Sequence, residues 1–277
     1  MPAQREEILR ASDKDPFAAF KAMQREGWKN YGPAETHTAR PAAQLVRVAG
    51  VRAGQRVLDV ACGTGPVALT AARRGAMVSG LDLTPELLER GRENATIAGL
   101  DVSFREGDVE ALPYRDQEFD VVLSQFGHIF APRPDVATAE MLRVLKPGGT
   151  IAFTTWAPEG AVGVMFGILG RHLPPPPPGA ARPPEWGDVA TVRARLGDRV
   201  RDLYFERGAL EGPALSVQHN RLEMEAILAP FRALVHELRD KPDQLAKVRA
   251  EVDAGLAPYF QDNFLRNDYL ITRATKV

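Results

Sequence analysis

Residues 56–65 read RVLDVACGTG. Val57, Leu58 and Val60 form the apolar part of a short buried strand, Asp59 interrupts it near its carboxyl end, and Ala61, Cys62, Gly63, Thr64 and Gly65 make a tight turn into a helix. A carboxylate buried at a strand end is costly unless a cation or a hydrogen-bond donor satisfies it, so Asp59 asks for a ligand. The glycines let the backbone approach a flat or extended molecule where a side chain would collide. Three further features fall at expected strand ends: Asp82, Asp108, and the segment 124–128, SQFGH. Together they suit a nucleoside with a charged tail. The turn takes the tail and ribose, Asp82 accepts from both ribose hydroxyls, and Asp108 accepts from an exocyclic amine of the base.

A dinucleotide is the competing ligand, because Gly63, Gly65 and Ala68 fit G-x-G-x-x-A and Asp82 lies close to the expected distance downstream. Asp59 argues against it. A carboxylate beside the turn repels a pyrophosphate and suits an ammonium, and none of the five tyrosines begins the Tyr-x-x-x-Lys pair of a reductase.

Positioning these groups takes a framework of alternating strands and helices. Strands are expected over 57–60, 77–81, 101–105, 119–123 and 150–156, and helices over 66–74, 85–98 and 135–145. Thr84, Pro85 and Glu86 supply a cap, a first-turn proline and a first-turn acid to the second of these helices. This alternation predicts a parallel sheet covered on both faces, with ligands at the carboxyl ends of its strands where strand order reverses. Residues 1–50 read as amphipathic helices over 11–27 and 38–49 around an aromatic turn carrying Trp28 and Tyr31. After 156 regularity weakens: the prolines at 174–178 fit neither helix interior nor central strand, and the apolar run before them suggests an ordered insertion over the sheet's carboxyl edge, with a partner-binding polyproline helix as the alternative. Further strands are expected over 201–207 and 267–275, with mostly helix over 222–256 broken at Pro230 and Pro242.

The composition narrows the function. The 277 residues suffice for one α/β domain, divided as an N-terminal helical lid (1–50), a cofactor-binding core (51–156), a proline-rich insertion (157–200) and a C-terminal segment completing the sheet (201–277). With 35 Lys and Arg against 36 Asp and Glu, the charge disfavours a nucleic-acid binder held by phosphate neutralisation. No apolar run is long enough for a membrane span, the start of the chain is polar, and a soluble cytoplasmic protein is expected. Cys62 alone cannot form an intrachain disulfide or a multi-thiolate metal site, and no metal-ligand spacing is found elsewhere.

The ordered series VLDVACGTG, GLDLTPELLE, EGDVEALPYRDQEFDVVLSQFG and EMLRVLKPGGTIAFTTW, over about 45–156, resembles the class I S-adenosylmethionine-dependent methyltransferases. Within them it is similar to the ubiquinone and menaquinone biosynthesis group. The resemblance implies a doubly wound, Rossmann-like seven-stranded sheet with its last strand antiparallel, and S-adenosyl-L-methionine as cofactor. It places Asp59 and the turn of Ala61, Cys62, Gly63 and Gly65 at the methionine part, Asp82 at the ribose and Leu83 against adenine. Asp108 and Val109 match the adenine edge, Ser124 and Gln125 lie beneath the ribose and sulfonium, and Tyr31 closes over the methionine end. Ala61 departs from the family, which usually has its first glycine there.

Methyl transfer from a sulfonium is an in-line displacement in which positioning supplies much of the acceleration. A thiolate or neutral amine needs little more, whereas a hydroxyl or carbon acid needs a base. His128, a few residues past the fourth strand, is the first candidate and Glu159, after the fifth, the second; His37, His172, His219 and His236 carry no separable signal. The Pro-Pro-Tyr signature of exocyclic-amine DNA methylation is absent at 124–127, and arsenic methylation needs several thiols. A small-molecule acceptor remains, in a pocket roofed by the N-terminal segment and the 157–200 insertion. The alternatives are a non-catalytic S-adenosylmethionine-binding protein and a nicotinamide-dependent reductase.

Overall fold

The computed structural model describes residues 15–277. Strands β1 (Arg56–Val60), β2 (Met77–Asp82), β3 (Val102–Glu106), β4 (Phe119–Gln125) and β5 (Leu145–Trp156) lie parallel, in the order β3-β2-β1-β4-β5. The order continues through β8 (Phe264–Lys276), antiparallel to β5, to β6 (Val200–Pro213), antiparallel to β8. The expected seven strands are present, and the two-residue β7 (Phe260–Gln261) adds an eighth by pairing with β8. Strand order reverses between β1 and β4, which places a crevice at their carboxyl ends.

Alternation along the central strands sends side chains to two cores. Val57, Val121 and Leu123 face Leu45 and Val46 of α2 (Ala39–Val48) and Ala68 and Ala71 of α3 (Pro66–Ala72). Leu58, Val60, Val122 and Phe153 face Met141 of α5 (Pro134–Val144), together with Trp186. Leu58 and Val60 are fully buried, each contributing about 1.5–3 kcal/mol. Asp59, between them in sequence, points with Val57 toward α3. The remaining crossover helix, α4 (Pro85–Ala98), has the predicted bounds. It ends at Gly99, whose φ of 63° is the left-handed conformation that closes a helix without strain.

At the N-terminus, α1 (Ala18–Trp28) and a 3-10 turn (Gly32–Thr38) precede α2; residues 11–14 of the expected first helix lie outside the described residues. After β5, α6 (Ala161–His172) carries the apolar run, and after the prolines a 3-10 turn (Pro183–Gly187) buries Trp186 before α7 (Val189–Leu196). Helices α8 (Val217–Ile227), α9 (Ala229–Glu237) and α10 (Pro242–Leu256) break at the two expected prolines. Met165 and Ile168 of α6, Phe231 and Leu234 of α9, and Val248 and Val252 of α10 form a third core. Strand β6 runs well past the expected end at 207 because Gly208 continues it. A Cβ there would lie 2.4 Å from the Tyr269 ring, so this glycine makes room for a neighbour and does not end the strand. No helix among the described residues is long and apolar enough to cross a membrane.

Candidate functional site

At the end of β1 the chain turns sharply. Ala61 takes a left-handed φ of 53°, and the Cys62 amide donates to the Leu81 carbonyl at 3.0 Å, tying the turn to β2. Gly63 and Gly65 follow with φ of 55° and 88°. Asp59 is 1% exposed; its Oδ2 accepts from the Ala68 amide of α3 at 3.0 Å, and its Oδ1 is buried without a partner. Burial pushes its carboxyl well above the usual range; the Ala68 amide opposes this and the neighbouring Asp82 adds to it. Asp82 closes β2 and accepts from Gly63 N at 2.8 Å and Thr84 N at 2.9 Å, so one carboxylate holds both the glycine turn and the start of α4. Its burial likewise raises its pKa.

Past β3, Asp108 accepts from Glu110 N at 2.8 Å and from Lys21 Nζ of α1 at 2.6 Å. Lys21 also pairs with Asp15 and Glu110, each at 2.5 Å, and Arg133 joins Glu110 at 2.7 Å. The oxygens of Asp15, Asp108 and Glu110 lie close enough to one another to hold a metal ion, but the Lys21 ammonium sits among them and pairs with all three. Gln125, at the end of β4, donates from Nε2 to the Thr38 carbonyl at 3.0 Å and leaves Oε1 buried and unpartnered.

These groups meet in one cavity of about 290 Å³. Of the residues expected to bind cofactor, Tyr31, Asp59, Ala61, Cys62, Gly63, Asp82, Leu83, Asp108, Val109 and Gln125 are on its wall. Gly65 and Ser124 are not. Gly65 caps α3 with its φ of 88° against the Phe104 ring, and Ser124, fully buried, donates to the Val60 carbonyl at 2.7 Å, fastening β4 to β1.

Neither proposed base reaches the cavity. Phe126 takes a left-handed φ of 58° and stacks on Trp156, with ring centroids 3.7 Å apart, which bends the chain after β4. His128 therefore enters the core on the α5 side. It is 1% exposed, 4.8 Å from the Phe153 ring and 4.7 Å from that of Trp186, with both ring nitrogens unpartnered. Burial, with a smaller push from Arg195, lowers its pKa to about 3, so it takes up a proton poorly. Glu159 lies on the outer surface paired with Arg207, beside a separate shallow depression. Its own backbone amide, then Arg207, holds its carboxyl below the usual range.

The sequence reading missed much of the remaining wall. His37 and Thr38 come from the 3-10 turn, Leu210 and Pro213 from the extended end of β6, and Asn220, Met224 and Leu228 from α8 and the residue after it. The last three recur every four residues, the spacing of one helix face, and that periodicity was the available signal.

The donor set distinguishes between ligands. Three carboxylates facing one cavity do not fit a pyrophosphate, whereas unpartnered buried oxygens on Asp59 and Gln125 fit a ligand rich in N–H and O–H donors. Residues 57–149 match the family model described as a methyltransferase domain. An uncharacterized protein of Mycobacterium tuberculosis strain H37Rv is 39% identical over 280 residues, covering 99% of this chain and 98% of the relative. The demethylmenaquinone methyltransferase of Thermus thermophilus is 37% identical over 136 residues, 48% of this chain and 62% of the relative. Among solved structures, the YcgJ protein of Bacillus subtilis superposes with a TM-score of 0.58 at 20% identity, over 86% of this chain and 99% of that one, a likeness of fold. The motif series, the strand order and these matches agree, and the chain belongs to the class I S-adenosylmethionine-dependent methyltransferases.

Proposed function

We propose that the protein binds S-adenosyl-L-methionine in this cavity and methylates a small molecule held against the apolar remainder of the wall. The observation that carries this reading is the convergence of Asp59, Asp82 and Asp108 with the glycine turn at one end of a cavity whose other end is apolar. Bound there, the cofactor supplies an electrophilic methyl group on a sulfonium.

The chain's own residues do the rest. The unpartnered oxygen of Asp59 receives an ammonium, and in doing so becomes easier to ionise despite its burial. Asp82, already fixed by two backbone amides, keeps lone pairs for two hydroxyls. Leu83 and Val109 flank a flat base, and Asp108, oriented by Lys21, faces its edge. Gln125 and Tyr31 border the acceptor end. Burial pushes the Tyr31 phenol up to about 12, so it serves as a neutral wall. The similarity to a demethylmenaquinone methyltransferase supports a small organic acceptor.

Titration calorimetry with S-adenosylmethionine and S-adenosylhomocysteine tests the reading. Micromolar binding is expected for the wild-type protein, with more than a tenfold loss in Asp82→Ala, at least about 1.4 kcal/mol. Binding of a nicotinamide cofactor in its place would refute it.

A further inference from the structure

Behind the cavity wall, one carboxylate gathers three N–H donors from a single helix face. Arg90 and Asn94 stand four residues apart on α4, the spacing that puts two side chains on the same side of a helix. Both reach Glu35 of the 3-10 turn. Arg90 donates from Nη2 to Glu35 Oε1 at 2.7 Å and from Nε to Oε2 at 3.2 Å, the two-pronged geometry in which a guanidinium and a carboxylate match. Asn94 donates from Nδ2 to the same Oε2 at 2.8 Å and to the Thr64 carbonyl at 3.2 Å. Thr64 belongs to the glycine turn, so Asn94 joins that turn to the 3-10 turn. The Glu35 side chain is 17% exposed, and these donors replace the water it has largely lost.

The 3-10 turn is held at its other end as well. Thr38 Oγ1 donates to the Glu35 carbonyl at 3.2 Å, and the Thr38 carbonyl accepts from Gln125 Nε2 at 3.0 Å. The turn therefore bridges the end of β4 and the glycine turn that follows β1. His37 and Thr38 of this bridge and Thr64 below it line the cavity, whereas Glu35, Arg90 and Asn94 do not. The three act on the wall from behind.

Their place selects the part of a ligand they affect. At the glycine turn, Asp59 keeps a buried oxygen without a partner, and a Cβ on Gly63 would meet no atom within 4 Å. Carboxylate and bare backbone thus face the cavity beside the bridge, where an ammonium-bearing tail fits. Leu83, Asp108 and Val109 follow β2 and β3 instead, and Asp108 is fixed by Lys21 and the Glu110 amide, a set of hydrogen bonds separate from that of Glu35. A nucleoside with an amino-acid tail spans both regions. A nucleoside without one meets only the second.

Resting on the methyl-transfer reading, we propose that Glu35, gripped by Arg90 and Asn94, is a positioning residue that clamps the 3-10 turn over the amino-acid tail of the cofactor and makes the site select ligands carrying that tail. The clamp orders the wall before the ligand arrives, so less freedom is lost on binding. It acts through Thr64 on one side and through Thr38 and Gln125 on the other.

The test is titration calorimetry on the full chain with S-adenosylhomocysteine and with 5′-methylthioadenosine, which keeps adenine, ribose and sulfur but lacks the amino-acid tail. The wild-type protein should bind both, S-adenosylhomocysteine the more tightly. Glu35→Ala and Asn94→Ala should each weaken S-adenosylhomocysteine at least tenfold and 5′-methylthioadenosine less than threefold. Glu35→Gln retains an oxygen that accepts from the same donors, and should bind S-adenosylhomocysteine at least threefold more tightly than Glu35→Ala. A role confined to holding the fold together would lower both affinities alike. Equal losses for the two ligands, unchanged S-adenosylhomocysteine binding, no gain from Glu35→Gln over Glu35→Ala, or wild-type binding of one ligand alone would overturn the proposal. Binding of neither ligand by the wild-type protein is a separate signal that removes the methyl-transfer reading and this proposal with it.

Discussion

His128 costs the fold free energy at two levels. Its two ring nitrogens are buried without partners, which forfeits the hydrogen bonds they make with water in the unfolded chain. Its proton affinity is also lowered, from an ordinary pKa of 6.5 to about 3. Between those two values the unfolded chain binds a proton that the folded chain refuses, so stability is full above the ordinary value and is lost progressively as the pH falls toward the folded one. From pH 7.5 to 5 the loss attributable to this residue is about 2 kcal/mol, at roughly 1.4 kcal/mol per unit below 6.5. Replacing the imidazole by an apolar group of similar size removes both costs. His128→Leu should therefore have an unchanged or higher urea midpoint at pH 7.5, and its stability at pH 5 should exceed that of the wild-type protein by about 2 kcal/mol. Cofactor affinity should be unaltered, because the residue does not line the cavity. Parallel pH dependences in urea titrations of the two proteins would show that the ring is not held neutral.

The β6–β8 ribbon forms the far edge of the sheet, and its packing depends on Gly208. The Tyr269 ring occupies the space where a Cβ would stand, and its hydroxyl donates to Gln44 Oε1 of α2 at 2.6 Å, joining the ribbon to the N-terminal helices. Gly208→Ala must push Tyr269 away and should destabilise the protein by about 1–3 kcal/mol, the usual cost of overpacking. The double variant Gly208→Ala with Tyr269→Leu should lose less than the sum of the two single changes in denaturant titrations; strict additivity would place the clash elsewhere. The same glycine shows where sequence reading reaches its limit. Pro85 and Glu86 stand in the first turn of their own helix and α4 has the expected bounds, because such signals act locally; the expected Thr84 cap differs, since its side chain makes no capping hydrogen bond and its amide is held by Asp82. Asp59 and Asp82 stand out for the same reason: a carboxylate inside or closing a short apolar run is unusual within a few positions. Gly208 and His128 take their meaning from rings distant in sequence, Tyr269 for one and Trp186 for the other. Met224 and Leu228 have the periodicity of any core-facing helix residue, so the pattern does not separate a packed face from a cavity wall.

The cavity is enclosed by parts of the molecule that differ in how they are anchored. On the C-terminal side, α6, α8, α9 and α10 share an apolar core of their own, which resists local opening. On the N-terminal side, α1 meets α9 where Gly27 lies against Ala229 and its carbonyl accepts from Arg232 at 3.1 Å, and its contacts toward the sheet are mostly polar. These are the cluster of Lys21 with Asp108 and Glu110, the Gln24 amide on the Phe130 carbonyl at 3.2 Å, and Arg25 on Glu106, supplemented by Trp28 against Phe130. A ligand enclosed by both walls enters by the one that opens at lower cost, and this comparison selects α1. Lys21 is the point to test. Its side chain is 11% exposed and Glu110 is 1% exposed, so removing the ammonium leaves the buried Glu110 carboxylate with Arg133 alone, and breaking such a buried pair typically costs about 3–5 kcal/mol. That cost should fall on the docking of α1. The sheet interior, where Leu58 and Val122 pack without reference to Lys21, should be spared. Lys21→Met is thus expected to lose amide-exchange protection over Ala18–Trp28 while β1 and β4 keep theirs. It should also release S-adenosylhomocysteine at least tenfold faster, because Trp28 and Tyr31 leave the wall together with the helix. Uniform loss of protection across strands and helix alike would mean that α1 and the sheet unfold as one unit, and the ligand would then have to enter past the C-terminal helices.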